Sequence, residues 1–516
     1  MVFPFLKKIN TPALGRWLLV LTALLGAGVR LAVFLQNRSF FLDEANLARN
    51  IAERSLGDLT QPLHYEQFAP LLFLWISKIN ALLLGNTEHA LRLLPLLAGM
   101  AAILLFYQIA ARLIPSLPAR WLALWVFAFH TGLLRYATEC KQYGTDVFAA
   151  VLAIWLALGQ GQRSFGPKQA AGWTLLGLGL IWFSMPVVFV LSGVGLYWLF
   201  IFWRKKDRKS LALVAASIAF WLAGFAVFFF TMLKQDAESD YLRQYHQPYF
   251  LPLLPLSAED WKQWGGLLHQ LLKSFSGHTA VAQAIGLLGL LAAWMHWSRR
   301  RPELVLLFGV PLLTCLVASG LQYYSLISRL TLFLVPILLL TSAFGWHVLW
   351  EKAGPRLKAV VAACLVLMAG GHDTYRFFRQ PYETDGLRQA LAFVEARQQP
   401  ADGLYLWKWA VPGYDFYTRL HEHPMSFEVA ELVKSEQRFG EDLQRLSDGT
   451  PALGRVWLVY NHLMSSSSLG EMEQELAQFR RLGSVEEVFR EANAAVFLWV
   501  QNQESRASAN TPAAGG

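Results

Sequence analysis

The chain has 516 residues, of which 55% are hydrophobic and only 16% are Asp, Glu, Lys or Arg. Soluble domains average about 45–50% apolar and about 25% charged residues, so this composition argues against a multidomain soluble protein. Three cysteines without a CxxC leave no disulfide framework or structural zinc site to expect, and the net charge of +9 has to be read through its distribution.

In chain order, apolar runs near the ~20 residues needed to cross a bilayer predict spans at roughly 17–36, 91–111, 121–135, 143–158, 171–183, 186–203, 210–231, 280–297, 303–319, 330–350 and 357–371. The first run lacks a small-residue cleavage site and reads as a retained helix. Leu71 to Leu84 is apolar but too short to span, at about 14 residues, and reads as an interfacial or re-entrant helix. Ser184-Met185-Pro186 splits the long run from Ala171 to Phe202, because proline removes a helix hydrogen bond.

Lysines and arginines gather in alternate loops. These hold Lys7, Lys8 and Arg16; Arg112 and Arg120; Arg163 and Lys168; Arg204 to Lys209; Arg299 to Arg301; and Lys352 to Lys358. The positive-inside rule makes these loops cytoplasmic. The basic excess is then a topogenic signal, and no nucleic-acid partner is required. Eleven crossings put the N-terminus inside and segments 37–90, 232–279 and 372–516 on the outer face.

After the last span the pattern changes. Leu387 to Arg397 has helical periodicity, Leu404 to Trp409 and Arg455 to Tyr460 read as short buried strands, and Leu469 to Leu482 reads as a charged amphipathic helix. Phe489 to Val500 reads as one or two strands. The expected architecture is an α-helical polytopic membrane protein with about 11 transmembrane helices over residues 1–371. A small C-terminal α/β soluble domain follows over 372–501, then a disordered tail over 502–516. No internal repeat is evident.

Polar residues that carry chemistry collect in the predicted outer segments. Asp43 and Glu44 follow the first span directly, and an interfacial place suits them because a carboxylate at a helix centre costs about 2.5–3.5 kcal/mol. There Asp43 is placed to accept a proton from a hydroxyl, or to cap the helix Glu44 to Arg54; the two roles are compatible. His64 and Glu66 supply two of the ligands a divalent metal would need, too few for a known metal pattern, and His278 is a third candidate. Arg135, Glu139, Lys141, Tyr143 and Asp146 sit between two apolar helices and need either pairing or a watery cleft. Tyr324 and Arg329 suit an interfacial grip on a lipid phosphate, and interface anchoring is the plainer role of the tyrosines. Arg30 lies inside the first span and either snorkels outward or points into the same cleft. Tyr241, Arg243, Tyr245 and His246 mix aromatic and basic groups in the loop 232–279.

These pieces resemble the GT-C superfamily of membrane glycosyltransferases. The branch is of the protein-mannosyltransferase type, which includes lipid A aminoarabinose transferases and lipopolysaccharide-core galacturonosyltransferases. The carriers are Arg30, Leu42-Asp43-Glu44, the run from Pro62 to Leu74, Leu84-Gly85, Glu88 to Pro95 with Arg92, Tyr136 to Tyr143, and Ser328-Arg329 to Pro336. The likeness covers residues 17–160 best and the rest mainly by topology. It implies a polyprenyl-phosphate sugar donor and a lipid, glycan or protein acceptor on the outer face of a plasma (inner) membrane. Asp43 would activate the acceptor, with Glu44 beside it. Arg329 and Arg243 would stabilise the leaving lipid phosphate, and Glu66 would line the site or hold a metal. At Gln67 the chain departs from the aminoarabinose branch, which carries a lysine there. The alternative functions are a transporter or lipid-linked-sugar flippase, and a binding scaffold.

Overall fold

A computed structural model describes residues 12–160, 165–234, 239–277, 279–352, 354, 385–435 and 453–501. The chain divides into two compact units. One comprises Met1–Leu35, Leu56–Ser77 and Arg92–Pro381; the other comprises Gln36–Ser55, Lys78–Leu91 and Tyr382–Gly516.

The first unit is helical. It contains α1 (Pro12–Leu35); α2 (Leu42–Glu53) belongs to the second unit, and α3 (Leu71–Leu84) is divided between the two. There follow α4 (Glu88–Leu113), α5 (Leu117–Phe129), α6 (Thr131–Tyr136), α7 (Tyr143–Gln160), α8 (Pro167–Phe183), α9 (Val187–Arg204) and α10 (Arg208–Phe228). After a five-residue π turn come α11 (Asp240–His246), α12 (Ala258–Ser276), α13 (Ala280–Arg300), α14 (Pro302–Gly320) and α15 (Val335–Lys352). Eight helices among the described residues are long and apolar enough to cross a membrane. Prolines open α5, α8 and α14, where the missing N–H would be unpaired anyway.

Close helix crossings rest on small residues. A Cβ added to Gly345 of α15 would lie 1.8 Å from the Gly289 carbonyl oxygen of α13, and one on Gly193 of α9 would meet Pro311 of α14 at 2.8 Å. The expected span at 121–135 differs from the structure. Its helix stops at Phe129, because His130 turns extended and its Nδ1 accepts the Leu133 N–H at 3.2 Å, capping α6. The expected span 357–371 and the tail 502–516 lie outside the described residues.

The second unit carries a mixed five-stranded sheet in the order β2-β1-β3-β5-β4. Its strands are β1 (Gly403–Leu406), β2 (Glu431–Lys434), β3 (Arg455–Tyr460), β4 (Gly483–Glu491) and β5 (Ala494–Gln501). β1 runs parallel to β2 and to β3, whereas β5 is antiparallel to both β3 and β4. Helices α16 (Leu387–Glu395), α17 (Val411–Asp415) and α18 (Ser466–Leu482) complete it. α18 turns Met472, Leu476 and Phe479 onto Tyr405, Leu458, Tyr460 and Trp499 of the sheet, the spacing of an amphipathic helix face. The stretch Phe489 to Val500 is two strands, joined by a tight turn with Ala492 at φ 47°.

Candidate functional site

In the first unit the loop 64–68 holds several of the polar residues singled out in the sequence. Tyr65 and Glu66 both have positive φ, at 64° and 51°; non-glycine residues held there store strain of about 1–3 kcal/mol each and collect at functional sites. Three contacts fix this loop. Lys141 Nζ donates to Gln67 Oε1 at 2.5 Å, Gln142 Nε2 donates to the Phe68 carbonyl at 3.2 Å, and Ser239 Oγ meets Glu66 Oε2 at 3.4 Å.

Ser239 is also the N-cap of α11, so that short helix starts on Glu66. Near its other end Tyr245 accepts a hydrogen bond from Arg329 Nη2 at 3.2 Å, with the guanidinium 5.8 Å from the ring centre. Burial and the Arg329 charge push the neighbouring His246 imidazole down to about 4, so it is neutral and can accept a hydrogen bond at neutral pH. Arg243 is exposed on the same helix. Lys141 thus brings an ammonium to the Gln67 side chain.

The other basic and aromatic candidates of this unit are mostly buried or paired within the fold. Arg135 pairs with Glu139 at 2.6 Å and lies over Tyr136, whose ring meets Tyr143 edge-on at 4.9 Å. Arg30 is buried and donates to the carbonyls of Gly26 at 3.0 Å and Ala128 at 2.7 Å, tying α1 to α5 instead of snorkelling. Tyr324 is buried and donates to the Leu330 carbonyl at 2.8 Å, which orders the turn before Leu332. Arg92 is buried on α4. His64 is edge-on to Tyr65 at 5.9 Å. Among the described residues no three His, Cys, Asp or Glu side chains group as metal ligands. His278 lies outside the described residues.

Asp43 and Glu44 belong to the second unit. The helix begins at Leu42, two residues before the expected start at Glu44: Phe41 is the N-cap, and Glu44 reaches back to its N–H at 3.2 Å. Capping therefore falls to Glu44, which is buried, while Asp43 in the same turn remains partly open to solvent.

The segment leading to Asp43 is gripped by the C-terminal residues. Arg388 donates to the Asn37 carbonyl, Ser39 Oγ to Gln389 Oε1 at 2.7 Å, and the Phe40 N–H to the Tyr417 hydroxyl at 2.8 Å. Buried Glu88 anchors this grip, accepting from Arg388 Nη1 at 2.6 Å, Tyr417 at 3.0 Å and His421 Nε2 at 3.3 Å. Further along α2, Arg49 meets Asp415 at 3.2 Å, and Asp415 also pairs with Lys434. Arg388, Tyr417, His421 and Ser239 carried no signal in the sequence. Each becomes functional only through a partner far away in the chain, such as the 300 residues between Glu88 and Arg388.

Eight helices among the described residues that are long and apolar enough to cross a membrane, followed by a C-terminal mixed sheet, give the chain the architecture of a polytopic membrane protein. The comparison that fixes the fold is with ArnT from Cupriavidus metallidurans bound to undecaprenyl phosphate. That structure matches with a TM-score of 0.51 and 16% identity, over 92% of this chain and 97% of that one. The apo state of the same protein gives 0.48 and 14%, over 95% and 98%. An oligosaccharyltransferase from Archaeoglobus fulgidus gives 0.44 and 13%, over 85% and 67%. No protein-family model matches the sequence, and no curated protein matches it.

Proposed function

We propose that the chain is a membrane glycosyltransferase that moves a sugar from a polyprenyl-phosphate-linked donor to a lipid, glycan or protein acceptor on the outer face of the membrane. The observation that carries this reading is the fold shared, over nearly the whole of both chains, with an ArnT determined with undecaprenyl phosphate bound. In the reaction an acceptor oxygen attacks the anomeric carbon and the bond from that carbon to the phosphate oxygen breaks. The phosphate leaves with the electron pair, and the acceptor proton passes to Asp43. Leaving adds a negative charge to the lipid phosphate. Cations already held in place stabilise such charge most effectively, and Arg329 on Tyr245 and Lys141 on Gln67 are fixed in this way. Exposed Arg243 adds a further positive charge on α11.

The test is transfer of radiolabelled sugar from cell-extracted polyprenyl-phosphate donors, in membranes holding the wild type or Asp43→Asn. The expected result is label on a new lipid or glycan with the wild type only. Full activity in Asp43→Asn removes Asp43 from the mechanism. No transfer from any donor by a folded wild type, with uptake into proteoliposomes, replaces the reading with transport.

A further inference from the structure

The parallel part of the sheet has a reversal point. The connection leaving β1 runs to β2 on one side, and the connection leaving β3 runs through α18 toward β4 on the other. In open α/β sheets a ligand crevice forms outside the carboxyl ends of two strands whose connections diverge. Here those ends lead into Trp407-Lys408-Trp409 and Asn461-His462, held in register by the Trp407 N–H to the Val459 carbonyl at 3.0 Å.

Four features mark this place as built for a ligand. Asn461 is 1% exposed with an unpartnered Oδ1, Asn493 is 8% exposed with an unpartnered Nδ2, and His462 has a buried, unpartnered Nδ1. Buried polar atoms normally find partners, and each exception asks for an explanation. The Asn493 carbonyl accepts the Leu463 N–H at 3.1 Å, which joins the asparagines to one locality. His462 has φ 61°, backbone strain of the kind that gathers at binding sites. Trp409 is 37% exposed, its ring 6.1 Å from that of His462.

Two further contacts link the place to the proposed reaction. The His462 ring lies 4.9 Å from the ring of Phe41, two residues before Asp43. Burial lowers the His462 pKa while the Asp43 charge opposes the shift, so the two side chains sense each other.

We propose that the crevice formed by Trp409, Asn461, His462 and Asn493 binds the saccharide part of the acceptor and presents its hydroxyl to Asp43. This rests on the glycosyl-transfer reading. The chemistry selects a neutral polyhydroxylated ring. A partly exposed indole suits the C–H face of a sugar, and an amide oxygen, an amide N–H and an imidazole nitrogen suit its hydroxyls. Lys408, whose ammonium lies over the Trp409 ring at 5.1 Å, is already paired with Glu471 at 2.9 Å, which disfavours an anion.

The probe is saturation-transfer NMR on the full chain in nanodiscs, with the methyl glycosides of glucose, mannose, galactose and N-acetylglucosamine. Saturation should reach the ring protons of at least one glycoside with the wild type, Asp43→Asn and Trp409→Phe. With Trp409→Ala the affinity for it should fall about tenfold, the loss of one aromatic contact. In the transfer assay Trp409→Ala should raise the acceptor KM about tenfold and leave kcat and the donor KM unchanged. No saturation with any glycoside, or equal binding by Trp409→Ala, overturns the inference, as does displacement of the glycoside by inorganic phosphate. Active Asp43→Asn would sink the transfer reading while the NMR result stands. Inactive Asp43→Asn without glycoside binding would sink only the crevice.

Discussion

Tyr417→Phe isolates the grip on the Asp43 segment. The tyrosine is 1% exposed, and its hydroxyl both accepts the Phe40 N–H at 2.8 Å and donates to Glu88 at 3.0 Å. Phenylalanine keeps the ring packing on Phe40 and Phe416 and deletes only the oxygen. Phe40 is also 1% exposed, so its N–H is left buried without that acceptor, at about 1–3 kcal/mol. Glu88 keeps Arg388 and His421, which limits the loss on that side. A net local cost of about 2 kcal/mol corresponds to roughly a 30-fold larger opening constant. Hydrogen–deuterium exchange resolved to the Phe40 amide measures it directly. That amide should exchange roughly 30-fold faster, while β3 and β5 keep their protection. A change below about threefold at Phe40, or equal loss in β3, would refute the argument, because the first means no held segment and the second means global unfolding.

The other predictions concern charge and packing. The hydrogen bond to Glu88 raises the His421 pKa above its unfolded value of about 6.5. Its stabilisation is therefore complete below about pH 6.5 and is lost as pH rises through the folded pKa. Phe40 protection, corrected for the intrinsic exchange rate, should weaken as pH rises above about 6.5 in the wild type, and an identical slope in Glu88→Gln would count against the His421 assignment. Gly345→Ala should destabilise the helical unit by at least the ~1–3 kcal/mol of overpacking, since its methyl meets backbone at 1.8 Å. Gly172→Ala, whose methyl meets nothing within 4 Å, should be neutral or stabilise by up to about 1 kcal/mol. Unfolding midpoints in mixed detergent should separate the two, and equal midpoints would show that the crossing yields.

The spanning helices were legible because a bilayer imposes length and apolarity on each segment alone, as at Val187–Arg204 and Pro302–Gly320. The stop at Phe129 was not, because a single histidine side chain decides it through a local cap. β2 escaped notice for a different reason: four residues, Glu431 to Lys434, with one buried side chain give no period to read. In the site, residue types were legible and partners were not. Lys141 drew attention as a charge in an apolar setting, but its bond to Gln67 spans 74 residues. Glu44 read as a companion of Asp43 until the helix start at Leu42 gave it the cap. For Arg30 the sequence left snorkelling and the cleft both open, and the two carbonyls that take hydrogen bonds from its Nη1 had no signal to read.

The anchor at Glu88 also sets a timetable for biogenesis. Its partner Arg388 follows 300 residues later, and at about 5–20 residues per second synthesis of that interval takes roughly 15–60 s. Throughout that time the nascent chain carries Glu88 without Arg388, Tyr417 or His421, and Phe40 without its acceptor. The stretch around Asp43 is thus translated well before the residues that hold it.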